Sequence, residues 1–289
     1  MRISVVVPCF NHERYVSECL ASIDAQDHAD LEIIVIDDGS TDASWQKISE
    51  FAPTQGHTVR RVQKRNEGAP SALNRGLALA TGEVIAICNS DDCFAPGRLT
   101  AMTKELVEKR GRFAFSAVAF VDESGAELPV DHAYAMELRE RQRAIATHPT
   151  VGFALLRSNV AISTGNFVFT RSLLAEIGHF RAYRYCHDWD YLLRALLETE
   201  PVYISRELYR YRLHSRNSFR ALAASAEIEC PDLLRRFMRA SLSDQYPNRR
   251  APSRRNWPVY FDYFIDRLGY GPYLLDWDKI DDPTVGSAL

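Results

Sequence analysis

A chain of 289 residues that is 46% hydrophobic and 25% charged can bury a proper core and is too apolar for extended disorder. Its formal net charge of -3 excludes a global bias toward nucleic acid, so any phosphate-binding surface has to be local. Six cysteines without a CxxC pair, no Asn-x-Ser/Thr acceptor, an opening apolar run broken at Pro8 and no bilayer-length stretch point to a reduced, cytoplasmic compartment.

In chain order, strand-like stretches predict strands over 3–7, 32–36, 58–63 and 83–88. Between the first two, Tyr15, Val16, Cys19, Leu20 and Ile23 recur at helical spacing. Between the last two, Ala69, Ala72, Leu73, Leu77 and Ala80 do the same, and Thr81-Gly82 closes that helix. Strands alternating with crossover helices predict a parallel or mostly parallel α/β sheet, whose carboxyl strand ends share the edge where such sheets bind ligands. After Pro96 the pattern changes to a helix over 98–109, a strand over 112–121, a hairpin turn at Gly125 and a solvated helix over 134–146. A short helix over 171–177, a strong one over 188–197 and an alternating strand over 202–213 follow. From 219 onward two or three helices are expected, with 247–258 linking them.

Four stretches carry chemistry. IIVIDDGSTD, 33–42, ends a strand in two acids and a Gly turn, with Asp42 placed to cap the next helix. A carboxylate at that edge, Asp37 or Asp38, can accept a hydrogen bond from a nucleobase imide. Asn89 to Asp92 follows another strand, and its adjacent carboxylates repel unless a cation or several donors lie between them. Asp91 and Asp92 are therefore a reasonable hard-metal site, although loop acids are often only solvated. RNEGAPSALNRG, 65–76, opens a helix at Gly68, where free N–H groups and the dipole favour an anion and Arg75 adds charge. CHDWDYLLRAL, 186–196, starts a helix with Asp188 and Asp190. Acids are ordinary there, and spacing does not choose which of the two serves as a general base.

In order and spacing, VVVPCFNHERYV, IIVIDDGSTD, RNEGAPSALNRGLALATGEVIAICNSDD and CHDWDYLLRAL resemble the successive signatures of glycosyltransferase family 2, the inverting nucleotide-sugar enzymes. The resemblance runs from about residue 3 to residue 213. It implies an α/β GT-A fold, with a mixed central sheet flanked by helices, over 1–215. Residues 1–97 would form the nucleotide-sugar half, 98–215 the acceptor half and 216–289 a helical extension. It implies that Pro8, Phe10 and Asn11 line the base and ribose pocket, that Asp38 faces the nucleobase, and that Asn66, Gly68 and Asn74 lie near the ribose and diphosphate. Asp91 and Asp92 match the family's metal motif for Mn2+ or Mg2+, with Asp92 the direct ligand, Asp91 nearer the ribose and His214 able to approach the metal. Asp188 matches the catalytic base, and Gly165, Asn166, His187, Trp189 and Asp190 fall in the acceptor region. His187 stands where the family usually has Glu. The reaction implied is single displacement with inversion, from a nucleotide-diphosphate sugar, UDP by default, to a glycan or lipid-linked glycan in cell-surface polysaccharide or glycolipid synthesis, without nucleic acid.

Between 233 and 255, seven arginines face one acid, Asp244, and Leu234, Phe237, Met238 and Leu242 form an apolar stripe. A packed helix with a solvated basic face explains this. Contact between Arg235–Arg255 and the anionic inner face of a membrane is the sharper expectation. Tyr260, Phe261, Tyr263, Phe264, Tyr270, Tyr273 and Trp277 make the last segment aromatic, as core or as a homodimer contact. Other enzyme classes fit less well. A haloacid-dehalogenase-type phosphatase needs a nucleophilic Asp where Ile36 stands, and no GxGxxG follows a strand as a nicotinamide enzyme requires. A glycan-binding module without turnover would not need Asp38, Asp91, Asp92 and Asp188 together.

Overall fold

The computed structural model of the protein describes residues 1–217, 222–243 and 245–275. The first half builds β1 (Ile3–Cys9), α1 (Val16–Asp24), β2 (Leu31–Asp37), α2 (Ser44–Glu50), β3 (Thr58–Gln63), α3 (Ala69–Leu79), β4 (Val84–Ile87) and the short β5 (Cys93–Phe94). Then come α4 (Arg98–Glu108), β6 (Phe113–Val121), α5 (Ala133–Arg143), α6 (Val151–Arg157), β7 (Val168–Thr170), α7 (Arg171–Ile177), α8 (His187–Glu198) and β8 (Val202–Arg212). The extension supplies α9 (Ala226–Leu242), α10 (Pro258–Arg267) and α11 (Gly271–Leu275).

The eight strands form one sheet in the order β3-β2-β1-β4-β7-β6-β8-β5. β3, β2, β1 and β4 are parallel; β2, β1 and β4 have the near-continuous apolar runs of strands covered on both faces, while β3, TVRRVQ, is the partly exposed edge. The parallel set stops there: β7 runs antiparallel to β4 and β6, while β6 and β8 are parallel to each other. The chain order reverses between β1 and β4, which makes the gap beyond their carboxyl ends the place for a ligand. At the opposite ends, buried Glu32 ties the strands together by accepting from Ser4 Oγ at 2.5 Å and Thr81 N at 2.6 Å.

Two readings change here. The helix expected to be solvated, α5, buries Ala135 and Leu138, and Gln142 donates to the carbonyls of Ser116 at 3.2 Å and Val160 at 3.1 Å. Its many charges hid a narrow apolar face. The C-terminal helices, for their part, share a core with the sheet: Phe237, Met238, Phe261 and Phe264 join Phe153 and Leu196 in one cluster. The Phe153 ring meets Phe264 edge-on at 4.9 Å. Phe261 and Phe264 are thus spent within the chain, while Val259 and Tyr263 stay exposed. Among the basic residues, Arg235 lies 5.5 Å over the Tyr273 ring, Arg236 pairs with Asp232 at 2.8 Å and Arg254 with Asp262 at 2.7 Å. Asp244 and Trp277 lie outside the described residues. No helix among the described residues is long and apolar enough to cross a membrane.

Gly165 and Asn166, expected beside an acceptor, lie in the middle of the fold. A Cβ on Gly165 would meet Tyr209 Oη at 1.8 Å, so only glycine admits that ring. Asn166 is fully buried. Its Oδ1 accepts from Arg98 Nη2 at 3.0 Å and Ser116 N at 3.1 Å, and its Nδ2 donates to Ser116 O at 2.8 Å and Ala161 O at 3.0 Å. Arg98 is a buried cation held by neutral groups: Ser116 Oγ, Asn166, and the rings of Phe94 at 4.9 Å and Tyr209 at 5.2 Å. Burial lowers its pKa to about 10. Asn166→Ala would take the Oδ1 acceptor from both that cation and the Ser116 N–H, and we expect it to cost about 3 kcal/mol in urea unfolding. A midpoint unchanged from wild type would refute this role for Asn166.

Candidate active site

Three strand ends meet at the switch point. After β1 the chain turns through Asn11, whose φ of 55° is one that Asn tolerates. Asn11 N donates to Ser40 Oγ at 2.9 Å and its Oδ1 accepts from Thr41 N at 2.8 Å, so its polar groups bind the turn after β2. The same turn aims His12 across β4, with Nδ1 2.8 Å from Ser90 Oγ. Pro8 and the exposed Phe10 line the cleft beside it.

Beyond β4, the loop 89–92 separates its two acids. Asp92 is 1% exposed, and both its oxygens are engaged: Oδ2 accepts from Tyr209 Oη at 2.6 Å and Oδ1 from Arg212 N at 2.8 Å. Asp91 turns the other way, with Oδ2 3.0 Å from His214 Nε2 and 3.7 Å from His12 Nε2. This reverses the expected geometry, in which Asp92 reached the metal. Asp91 lines the cleft and Asp92 faces the interior, where Tyr209 Oη and the Arg212 amide of β8 take up both its oxygens. Electrostatics follow the same division. Burial, reinforced by the charge of Asp91, pushes Asp92 well above the carboxylate range. Burial would also raise Asp91, but His12 and His214 outweigh it and hold that carboxyl low. His12, Asp91 and His214 offer three ligand atoms within 4.8 Å of one another.

Asp38 is also committed locally. Its oxygens accept from Lys64 Nζ at 2.6 Å, Glu67 N at 3.2 Å and Gly68 N at 2.8 Å, which folds the 64–68 loop over the end of β2. The expected contact with a nucleobase imide therefore has little free acceptor capacity, although Asp38, Asn66 and Gly68 all border the cleft. The Asn74 amide, expected near the diphosphate, pairs both ways with the Phe180 backbone, 2.8 Å in each direction, and pins the loop before α8 onto α3.

The facing wall is the start of α8. Asp188 borders the cleft, with Oδ2 accepting from Asn159 Nδ2 at 2.7 Å and Oδ1 from Trp189 N at 2.7 Å. Burial raises its pKa from the ordinary 3.8, against the opposing pull of His187. Asp190 faces inward and is paired with Arg181 and Arg194, each at 2.9 Å, so it belongs to the helix packing and not to the acceptor region. His187 and Trp189 do border the cleft. His187 Nε2 lies 3.2 Å from Thr164 Oγ1 and its buried Nδ1 has no hydrogen-bond partner among the described residues, while Trp189 Nε1 donates to Leu155 O at 2.7 Å. The cleft holds about 1260 Å³ and takes its walls from both halves of the chain.

His12, Asn159, Tyr209 and Arg212 were not singled out by sequence reasoning. His12 had one available signal, its place just beyond the carboxyl end of β1, where the sheet meets a ligand. The other three act through distant partners.

The family model described as "Glycosyl transferase family 2" matches residues 4–192, well over half of the chain. The chain belongs to glycosyltransferase family 2. Glycosyltransferase GlyG of Streptococcus pneumoniae is 31% identical over 224 residues, covering 74% of this chain and 71% of that protein. An uncharacterized glycosyltransferase of Nostoc is 39% identical over 99 residues, 34% of this chain and only 31% of its own length. Among solved structures, residues 1-349 of TarS from S. aureus in complex with UDP-GlcNAc superpose with a TM-score of 0.70 at 19% identity, over 93% of this chain and 71% of that one. The mannosyltransferase PcManGT from Pyrobaculum calidifontis, in complex with GDP-Man and Mn2+, gives 0.62 at 18% identity, over 93% and 73%. At these identities the likeness establishes the GT-A fold.

In this glycosyltransferase, Tyr209 carries one of the two bonds that turn Asp92 inward. Tyr209→Phe should lower stability by roughly 1–3 kcal/mol, the worth of a hydrogen bond to a buried carboxyl. A urea midpoint equal to wild type would show that Asp92 is held without it.

Proposed function

We propose that this protein moves a sugar from a nucleoside-diphosphate donor to an acceptor hydroxyl with inversion at the sugar carbon, using Asp188 as the base. One observation carries the reading: Asp91, paired with His214 at the strand switch point, and Asp188 at the head of α8 border the same cleft. Neighbouring folds hold UDP-GlcNAc or GDP-Man, which supports a nucleotide-sugar donor; UDP is the first candidate. The acceptor is a glycan or lipid-linked glycan, and the stretch of cleft bordered by Tyr134, Arg141 and Tyr185 is where it would lie.

The residues suit a divalent cation. Asp91 is an ionised oxygen donor, and the Ser90 hydroxyl can accept a hydrogen bond from His12 Nδ1–H, the tautomer that leaves His12 Nε2 a lone pair. His214 Nδ1 accepts from Arg216 N at 3.2 Å, so its Nε2 carries the proton shared with Asp91; holding a cation there requires the other tautomer. A carboxylate beside imidazoles suits Mn2+ better than Mg2+, which prefers oxygen alone. A cation at this corner supplies positive charge against the departing diphosphate. Asp92, with both oxygens engaged, supports the corner from beneath.

At the facing wall the acceptor oxygen bonds to the sugar carbon as the carbon–diphosphate bond breaks, and the hydroxyl proton passes to Asp188. Asn159 and the Trp189 amide fix the carboxylate. A base works deprotonated, and burial places the Asp188 pKa above 3.8, so kcat falls as pH drops through that raised value. Asp188→Asn should cut turnover by ~10²–10⁴-fold, remove this acidic limb, and leave donor affinity by calorimetry intact. The test is nucleotide release from UDP-GlcNAc and GDP-Man with Mn2+ and a glycan acceptor panel. Near wild-type turnover in Asp188→Asn, or an unchanged acidic limb, would remove Asp188 from the base role.

A further inference from the structure

Two thiols meet at the edge of the cleft. Cys186 caps the start of α8, two residues before Asp188, and Cys230 lies in the first turns of α9; their sulfurs are 3.3 Å apart. Both border the cleft, and Cys230 alone among the six cysteines is not fully buried. The second close pair, Cys19 and Cys88 at 3.6 Å, is sealed in the core and gives a built-in comparison.

The surrounding backbone holds the pair in register. Glu229, next to Cys230, accepts from the amides of Arg184, Tyr185 and Cys186, each at 2.8 Å, and so straps the residues before α8 onto α9. Two sulfurs on separate elements thus share a fixed contact at a solvent-reachable wall. The hydrogen bond shared with Cys186 lowers the Cys230 pKa from 9.0, which favours the less buried sulfur as the one that attacks first.

We propose that Cys186 and Cys230 form a reversible dithiol–disulfide site that ties α9 to the head of α8 and misplaces Asp188 when oxidised. The oxidant class is a small disulfide such as oxidised glutathione. The Cys230 thiolate attacks one of its sulfurs, forming a mixed disulfide and releasing one thiolate, which takes up a proton. Cys186 gives up its proton and attacks the Cys230 sulfur, closing the protein disulfide and releasing the second thiol. Two protein thiols are oxidised and one small disulfide is reduced to two thiols. The bond needs the sulfurs to approach by about 1.2 Å, since a disulfide spans ~2.05 Å. That movement falls on the cap of the helix carrying Asp188, and ~1 Å of misplacement at a reacting group can cost about 100-fold in rate.

The loss of activity rests on the base reading of Asp188; formation of the bond does not. The full-length protein is equilibrated with oxidised glutathione, then digested without reduction and mapped by mass. The expected result is a linked pair of peptides containing Cys186 and Cys230, loss of two free thiols, no change at Cys19 or Cys88, and full reversal by dithiothreitol. Transfer should fall at least tenfold in the oxidised protein and recover on reduction, whereas Cys230→Ser, compared with its own reduced rate, should keep its activity in the same buffer. If no 186–230 link forms, if only a glutathione adduct appears on Cys230, or if Cys19–Cys88 oxidises equally, the site is overturned. If the link forms while the transfer rate stays unchanged, the control of Asp188 is overturned.

Discussion

The arrangement of this glycosyltransferase turns on one buried carboxyl, Asp92, held between Tyr209 Oη and the Arg212 amide. The bond to Arg212 joins residues 120 apart in sequence and fastens the carboxyl end of β4 to the far end of β8. Adjacent acids cannot both occupy the same dry space without compensation, so fixing Asp92 inward drives Asp91 to the cleft. Arg212 reinforces the direction: its Nε donates to the Asp91 carbonyl at 2.9 Å and its Nη2 to Glu18 at 2.6 Å. Beneath them, Gly165 makes room for the Tyr209 ring and Arg98 lies against its face. A carboxylate turned to the cleft is thus the product of a buried network behind it.

The facing wall is held by separate struts. Asn74 joins α3 to Phe180, Glu229 joins α9 to the backbone of 184–186, and Asn159 fixes the Asp188 carboxylate. The helical extension is therefore part of the wall. Its packing on Phe153 and its hold on the residues before α8 explain why so many of its aromatic and charged side chains are engaged within the chain.

The parallel strands and α3 were legible because their patterns are local: a continuous apolar run for a strand covered on both faces, a 3.6-residue stripe for a helix. That acids at strand ends would gather at one edge followed from topology alone. Which acid faces the cleft did not, because Asp91 and Asp92 are distinguished by donors on β8, far along the chain. Asp38 illustrates the same limit: its position was right for a base pocket, but Lys64 and two loop amides occupy its oxygens. Asp188 and Asp190 were equal by spacing and unequal once Arg181 and Arg194 enclosed the second. Gly165 and Asn166 resembled a loop beside a substrate, yet a buried arginine and a tyrosine ring required them. His12 stood in plain view after β1, and only its approach to Ser90 and Asp91 gives it meaning.

The central claim is that Asp91, and not Asp92, offers its carboxylate to the cation that accompanies the donor diphosphate. Both Asn variants are isosteric, and an Asn at 92 can still accept from the Arg212 amide. Electron paramagnetic resonance of Mn2+ titrated into the protein with UDP present reads the site directly. The account predicts that Asp91→Asn weakens Mn2+ binding by at least tenfold while Asp92→Asn, confirmed folded, stays within about threefold of wild type. Retained Mn2+ affinity in Asp91→Asn together with its loss in folded Asp92→Asn would contradict it.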